Sequence, residues 1–178
     1  MRSFLLGPVV RLVPIGLCFL ALQRTLFADL RPFDVRLQIV LALVAAAGAG
    51  AGPERGAIAG FVLGTMYDLA LGTPLGLTAL IYALAGFIAG YVVTLTPTPP
   101  WWLATIFTGL GTAVGETTLP FGKALIGQSG WVTRRMFTIV PTVTVFAAVL
   151  SPLLVPLGRW CMCVRRAKWR AMTDEEAV

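Results

Sequence analysis

The sequence contains no histidine and only three cysteines among its 178 residues. Histidine is the usual general base and metal ligand near neutral pH, so its absence removes the commonest catalytic and metal-binding side chain. Cys18, Cys161 and Cys163 do not have the Cys-x-x-Cys spacing of a zinc site. Neither a Walker-type phosphate loop nor a metalloprotease helix motif is present. We therefore predict no metal site, no cofactor and no enzymatic activity.

Charged residues are scarce as well. They make up 12% of the chain, whereas an average soluble domain has about 25%. Hydrophobic residues make up 57%, and the mean hydropathy is +0.85. A soluble domain of this size needs a polar surface that this composition does not provide. We therefore expect an integral membrane protein, in which the long stretches without charged residues are 12–23, 37–53, 69–115 and 136–158.

Hydropathy and the positions of Pro and Gly predict an all-α fold, a polytopic transmembrane bundle of about six helices. The second and third predicted spans have 16 residues each, fewer than the roughly 20 that cross a bilayer. A five-span alternative, in which these two form a re-entrant pair, therefore stays open. The predicted spans are 9–27, 37–52, 56–71, 74–95, 100–119 and 136–157, in a single transmembrane domain at 1–158 with a basic tail at 159–178.

The basic residues set the expected orientation. The formal net charge is +6, and five of the 14 Lys and Arg residues lie in segment 159–178. A dense basic group next to a span is typical of the cytoplasmic side, so we predict that both termini are cytoplasmic. The concentration of five basic residues in one short tail also argues against nucleic-acid binding.

Glycines recur every four residues in three predicted helices. This spacing places small residues on one helix face, where two helices in lipid can approach closely. We predict that these faces pack either against the chain's own helices or against a partner's transmembrane helix. The glycines are Gly56, Gly60 and Gly64 in the third helix, Gly86 and Gly90 in the fourth, and Gly111 and Gly115 in the fifth.

Two carboxylates lie inside predicted spans, Asp68 in the third and Glu116 in the fifth. An ionised carboxylate in a membrane is costly unless it is paired or hydrated. We therefore predict two intramembrane polar anchors, with Lys123, Arg134 and Arg135 as possible ion-pair partners. A cap that fixes the bundle, a solute or proton pathway and a partner-binding role stay open as alternatives. So does a membrane enzyme that uses these two acids alone.

One segment carries a recognisable motif. Residues 56–68 read GAIAGFVLGTMYD, followed by GTPLGL at 72–77 and then by Gly86 and Gly90. This order of G-x-x-x-G-F-x-x-G-x-x-x-D, a turn with P-L-G and a final G-x-x-x-G resembles the rod shape-determining protein MreD family of bacteria. The resemblance is best over residues 54–91, and the chain length and number of spans agree with it.

The resemblance implies a non-enzymatic scaffold subunit of the cell-elongation (Rod) complex, in the bacterial inner membrane. Such a subunit would bind an MreC-like bitopic membrane protein and support rod shape and peptidoglycan synthesis. Through that partner the complex would reach MreB filaments, RodA and a penicillin-binding transpeptidase. The family is also similar in fold to the substrate-binding component of energy-coupling-factor vitamin transporters. A solute-binding membrane component of such a transporter is therefore the alternative function.

Overall fold

The computed structural model describes residues 8–29, 38–96, 99–125, 127 and 136–162. The described residues form six α-helices and no strand, which confirms the predicted all-helical class and the number of helices. In chain order the helices are α1 (Pro8–Asp29), α2 (Ile39–Ala51), α3 (Pro53–Leu71), α4 (Leu77–Leu95), α5 (Trp101–Leu125) and α6 (Met136–Met162).

Glycines with positive φ separate the three central helices. Gly52 has a φ of +100° and ends α2, and Pro53 begins α3 directly after it. Glycine adopts this φ without strain, and proline suits the first helical position because its φ is already helical. Gly72 ends α3 with a φ of +67°, and Gly76 precedes α4 with a φ of +100°. The chain therefore reverses direction twice over short connections.

The shortest helix, α2, lies at the centre of the bundle. The other five helices form a ring around it in the order α1, α3, α4, α5 and α6, and α6 packs back against α1. Every residue from Ile39 to Ala49 is buried. An apolar helix without a polar face must be covered by other helices or by lipid, and here the ring covers α2.

Four helices are longer than the predicted spans, and α5 and α6 extend farthest past the predicted ends. α5 continues past 119 to Leu125, because Gly122 still packs against the side chains of Leu77 and Ile81 on α4. α6 continues past 157 to Met162, because Gly158 packs against the backbone of Ala47 on α2. The predicted start of a separate tail at 159 therefore falls inside α6, and residues 163–178 lie outside the described residues.

The outward surface of the ring is largely apolar. Large side chains such as Phe61, Leu84, Ile106 and Val149 are exposed on α3, α4, α5 and α6. By length and composition, α4 and α6 could each cross a membrane, whereas α2 is apolar but shorter. A helix of a soluble bundle would carry charged and polar residues on these outer faces.

Candidate functional site

The glycines of α3 lie against α4. A Cβ atom on Gly60 would overlap the Tyr82 carbonyl group, and a Cβ on Gly64 would lie 2.5 Å from the Ala79 Cα atom. Gly56 lies at the other end of the same face, where a Cβ would lie 2.6 Å from the Gly48 Cα atom. The predicted glycine ladder thus brings the α3 backbone directly onto neighbouring backbone within the chain.

The glycines of α4 and α5 lie in contacts of the same kind. A Cβ on Gly86 would overlap the Gly56 carbonyl, and one on Gly90 would lie 2.5 Å from the Pro53 Cα atom. On α5, a Cβ at Gly111 would lie 2.6 Å from the Ala85 carbonyl oxygen. At Gly115 the nearest atom is instead in a side chain, that of Leu41 at 2.8 Å.

These contacts place the seven predicted glycines inside the bundle. The glycine faces were expected to pack either against the chain's own helices or against a partner's helix, and in the structure they pack against the chain's own helices. The faces of α3 and α4 that carry the motif cover each other, so a partner's helix cannot occupy either face while the bundle is closed.

Asp68 lies in the last turn of α3 and is completely buried. Its Oδ1 accepts a hydrogen bond from the Thr73 hydroxyl at 2.7 Å. Its Oδ2 accepts hydrogen bonds from the backbone N–H groups of Gly76 at 3.0 Å and Ala79 at 3.4 Å. A carboxylate at a helix N-terminus satisfies N–H groups that have no partner within the helix, and its charge is favourable there. Asp68 of α3 is therefore the N-terminal cap of α4.

The hydrogen-bond donors of Asp68 are not the basic residues that were predicted as possible ion-pair partners of the two acids. Asp68 is held by a hydroxyl and two backbone amides of the turn that follows it. Lys123 acts electrostatically on Glu116 instead. Arg134 and Arg135 lie outside the described residues. The same contacts explain why α4 begins at Leu77, three residues later than predicted, because Thr73 and Gly76 bind Asp68 before the helix starts.

Two further helix ends are capped by a side chain of a neighbouring helix, and neither cap was predicted from the sequence. The Val40 N–H at the start of α2 donates to the Gln23 Oε1 atom of α1 at 3.1 Å. The Arg24 guanidinium donates to the Ala70 carbonyl at the end of α3 at 2.8 Å. Polar residues near the end of an apolar helix were the available signal, but nothing in the sequence names their partners.

Glu116 is the second buried acid, with a side chain that is 6% exposed. Among the described residues its Oε1 atom has no hydrogen-bond partner. Lys123, two turns later on α5, attracts the carboxylate. The environments of the two acids therefore differ, since both carboxylate oxygens of Asp68 accept hydrogen bonds and one oxygen of Glu116 does not.

Tyr82 of α4 is completely buried. Its hydroxyl donates to Gln38 Oε1 at 2.9 Å, and its ring lies 5.7 Å from that of Tyr67. Asp68 and Glu116 both act on Tyr82 electrostatically. We call Gln38, Asp68, Tyr82 and Glu116 the polar end of the bundle, because they lie in the half of the bundle where α2 and α4 begin and where α3 ends.

The polar end can accept hydrogen bonds and positive charge. Asp68 has a complete set of donors, so its chemical role is to hold the α3–α4 turn. The Oε1 atom of Glu116 has no donor among the described residues, whereas the Tyr82 hydroxyl is paired with Gln38. The arrangement thus combines a structural cap with a second buried acid that has one oxygen without a donor in the described part of the chain.

Compared with models of protein families, with curated proteins and with solved structures, the chain has no significant match in any of the three comparisons.

Proposed function

We propose that this chain is a non-enzymatic scaffold subunit of the bacterial cell-elongation machinery, similar to MreD and bound to an MreC-like partner. It would be a multi-pass protein of the inner membrane with both termini in the cytoplasm. The proposal joins the resemblance of segment 54–91 to the geometry that this segment adopts.

Membrane residence is supported by the outward surface. The ring helices expose large apolar side chains, whereas Gly and Ala make many of the closest contacts in the interior. Lipid tolerates such an exterior, and close backbone contact is the usual way in which helices associate in lipid. Two candidate membrane-spanning helices are consistent with the same assignment.

The single observation that carries the scaffold proposal is the cap formed by Asp68. The acid of the motif points into its own hairpin and accepts hydrogen bonds from Thr73 and the start of α4. The glycines of the same motif bring α3 and α4 together. The motif therefore builds a closely packed and capped hairpin, and this structural use of its acid and its glycines supports a scaffold role.

A partner's helix would then bind an outward face of the ring. The glycine faces are covered, whereas α4 presents Leu80, Leu84, Phe87 and Tyr91 along one exposed stripe. Contacts with MreB, RodA and the transpeptidase would follow through the MreC-like protein.

Co-purification tests the proposal. The tagged chain, expressed in a rod-shaped bacterium together with an MreC-like bitopic protein, is expected to retain that protein in mild detergent. Depletion of the chain from its own host is expected to make rod-shaped cells round. A chain that purifies alone, from a host that stays rod-shaped after depletion, contradicts the proposal.

The orientation has its own test. Alkaline phosphatase is active only in the periplasm, so its fusion to the C-terminus is expected to be inactive. A fusion at Gly127, between α5 and α6, is expected to be active, because this connection would lie outside. Strong activity at the C-terminus contradicts the proposed orientation.

A second candidate is the solute-binding component of a vitamin-type transporter. The observation that favours it is the acceptor capacity of Glu116 at the polar end. Mass spectrometry of the purified protein decides between the two: a stoichiometric vitamin-like molecule favours the transporter component, and its absence together with a retained MreC-like protein favours the scaffold.

A further inference from the structure

Basic side chains gather at the end of the bundle where α6 finishes. A Cβ on Gly50, near the end of α2, would lie 3.1 Å from the Arg159 Cβ atom, so α2 and α6 finish together. α3 starts there as well, because it follows α2 after a single residue. The first turn of α1 joins them, since Arg11 lies over Trp160 of α6. We call this end, which carries Arg11 of α1, Arg55 of α3 and Arg159 of α6, the basic end of the bundle.

The Arg11 guanidinium stacks on an aromatic ring. Its Cζ atom lies 5.5 Å from the centroid of the Trp160 ring, which is within the range of a cation–π contact. Such a contact uses the flat face of the guanidinium and leaves the N–H groups along its edge. Arg11 makes no hydrogen bond or ion pair within segments 8–29, 38–96, 99–125 and 136–162. Its edge donors are therefore held in a fixed place without an acceptor in this part of the chain.

The basic side chains at the opposite end differ, because the chain itself uses them. Arg24 donates to a carbonyl at the end of α3 at 2.8 Å, and Lys123 acts electrostatically on Glu116. Arg159 resembles Arg11 instead, since it is exposed and makes no hydrogen bond or ion pair with the described residues. Two cations at the basic end are thus left for an acceptor outside the described residues.

The local charge requires that acceptor to be an anion. The start of α1 has no acidic residue in its first turn, and a helix N-terminus adds partial positive charge. The sequence that follows α6 is basic as well, and its first acidic residue is Asp174. The basic residues between them are Arg165, Arg166, Lys168 and Arg170.

The aromatic residues indicate where this anion lies. Trp160 is 60% exposed, and Trp101 and Trp102 at the start of α5 are exposed at the same end of the bundle. Tryptophan is enriched where a bilayer meets water, which is the level of the lipid headgroups. Basic groups between transmembrane helices bind anionic headgroups there, and the planar guanidinium fork matches two phosphate oxygens. A phospholipid therefore fits both the charge and the position.

We propose that the basic end binds the phosphate headgroup of an anionic phospholipid, such as phosphatidylglycerol, between α1 and α6. Arg11 donates to the phosphate from the edge of its guanidinium, Trp160 holds that guanidinium in place, and Arg159 adds a second positive charge. The acyl chains lie along the apolar outward surface of the ring. The proposal rests on the membrane residence proposed above and does not depend on the scaffold role.

Thermal unfolding of the full chain, purified in an uncharged detergent, tests this site. Phosphatidylglycerol is compared with phosphatidylcholine and with inorganic phosphate at equal concentration and ionic strength. A ligand that binds only the folded state raises the Tm, by about 5–10 °C at roughly 100 times its Kd for a chain of this size. We expect this rise with phosphatidylglycerol alone. No rise, or an equal rise with phosphatidylcholine or inorganic phosphate, overturns the proposal.

Two pairs of variants locate the site. Arg11→Gln removes a charge at the basic end, and Arg24→Gln removes one at the other end of the same helix. Trp160→Leu removes the stacking ring, and Trp101→Leu removes an exposed ring on α5. The rise in Tm is expected to disappear in Arg11→Gln, to fall by at least half in Trp160→Leu, and to persist in the two controls. Equal losses within each pair would show a general attraction of lipid to the chain, which overturns the proposal.

A second measurement uses the wild-type chain alone, in case Arg11→Gln does not fold. Native mass spectrometry identifies the lipid that the chain retains from micelles with equal amounts of phosphatidylglycerol and phosphatidylcholine. We expect at least a fivefold excess of phosphatidylglycerol, and equal retention of the two lipids overturns the proposal. Cell fractionation tests membrane residence, and retention of the MreC-like protein tests the scaffold role. A membrane-bound chain that keeps the lipid but not that protein contradicts the scaffold and leaves the lipid site standing.

Discussion

The contact between α3 and α4 differs from the contact between α5 and α6 in what fills it. At α3–α4, Gly60, Gly64 and Gly86 bring backbone against backbone, and a Cβ on Gly60 or Gly86 would overlap a carbonyl group. At α5–α6, the Thr105 and Ser151 hydroxyls share a hydrogen bond of 2.7 Å. A Cβ on Gly109 of α5 would lie 3.3 Å from the Thr144 Cγ2 atom and 3.9 Å from the Thr144 carbonyl oxygen, so the nearest atom belongs to a side chain and the backbone is at an ordinary contact distance.

In the proposed lipid surroundings, where burial of apolar surface from water would not drive association, the difference corresponds to two ways of joining helices. Close backbone contact accumulates dispersion energy but tolerates no added atom. A hydroxyl pair allows ordinary side chains in the interface, and its energy is modest because the separated helices also find hydrogen-bond partners. We therefore expect α3–α4 to be the rigid contact and α5–α6 the adaptable one.

The largest loss of stability is expected when the close contact between α3 and α4 is disrupted. Gly60→Ala and Gly86→Ala each force backbone apart, and we expect each to destabilise the bundle by about 3 kcal/mol. Gly109→Ala is the matched control in the α5–α6 contact, where a side chain can move, and we expect a loss below about 1 kcal/mol. Unfolding by SDS in mixed micelles measures both. Equal losses at the three positions would show that the two contacts do not differ in rigidity.

The next effect concerns the cap that closes the α3–α4 hairpin. Asp68→Ala leaves the Thr73 hydroxyl and the Gly76 N–H without their acceptor, so we expect a loss of about 2 kcal/mol. Asp68→Asn keeps one oxygen acceptor and is expected to lose about half as much. The same unfolding assay measures the two variants, with Glu54→Gln as an exposed control. A stability for Asp68→Ala that matches the wild-type protein contradicts the cap.

The smallest effect is that of the hydroxyl pair. In a double-mutant cycle of Thr105→Val and Ser151→Ala, we expect a coupling energy of about 0.6 kcal/mol, the average for such pairs in a membrane protein. A second cycle pairs Ser151→Ala with Thr117→Val, because Thr117 donates to Ala113 of its own helix. This second cycle is expected to show no coupling. Coupling above about 2 kcal/mol in the first cycle would show that the α5–α6 contact is as sensitive to substitution as the α3–α4 contact.

The helices themselves were largely predictable. Long uncharged stretches and the Gly and Pro residues around 52, 72 and 76 indicated where the chain forms helices and where it turns. The ends of the helices were less predictable, because α5 and α6 continue past the predicted ends where Gly122 and Gly158 pack against neighbouring helices. The extent of a helix depends on packing that no local pattern contains.

The residues of the site could be predicted from the sequence, but the residues that they contact could not. Its seven glycines were named from their spacing and its two acids from their position inside apolar spans, and the acids occupy buried positions. Gln23, Gln38 and Tyr82 were not named as partners, although they make contacts across helices. Their partners lie 17 and 44 residues away in the sequence, and that separation leaves no periodic signal.

By itself the sequence determined the helical class, the number of helices, and which carboxylates enter apolar segments, because each of these follows from the local balance of apolar, charged and turn-forming residues. Only the tertiary structure decided that α2 lies at the centre, that the α3 and α4 glycine faces cover each other, and that Asp68 caps α4 while one oxygen of Glu116 has no donor among the described residues. The physical reason is that the role of a buried carboxylate or glycine depends on the atoms that it contacts. Those atoms come from distant parts of the chain, which only the closed bundle brings together.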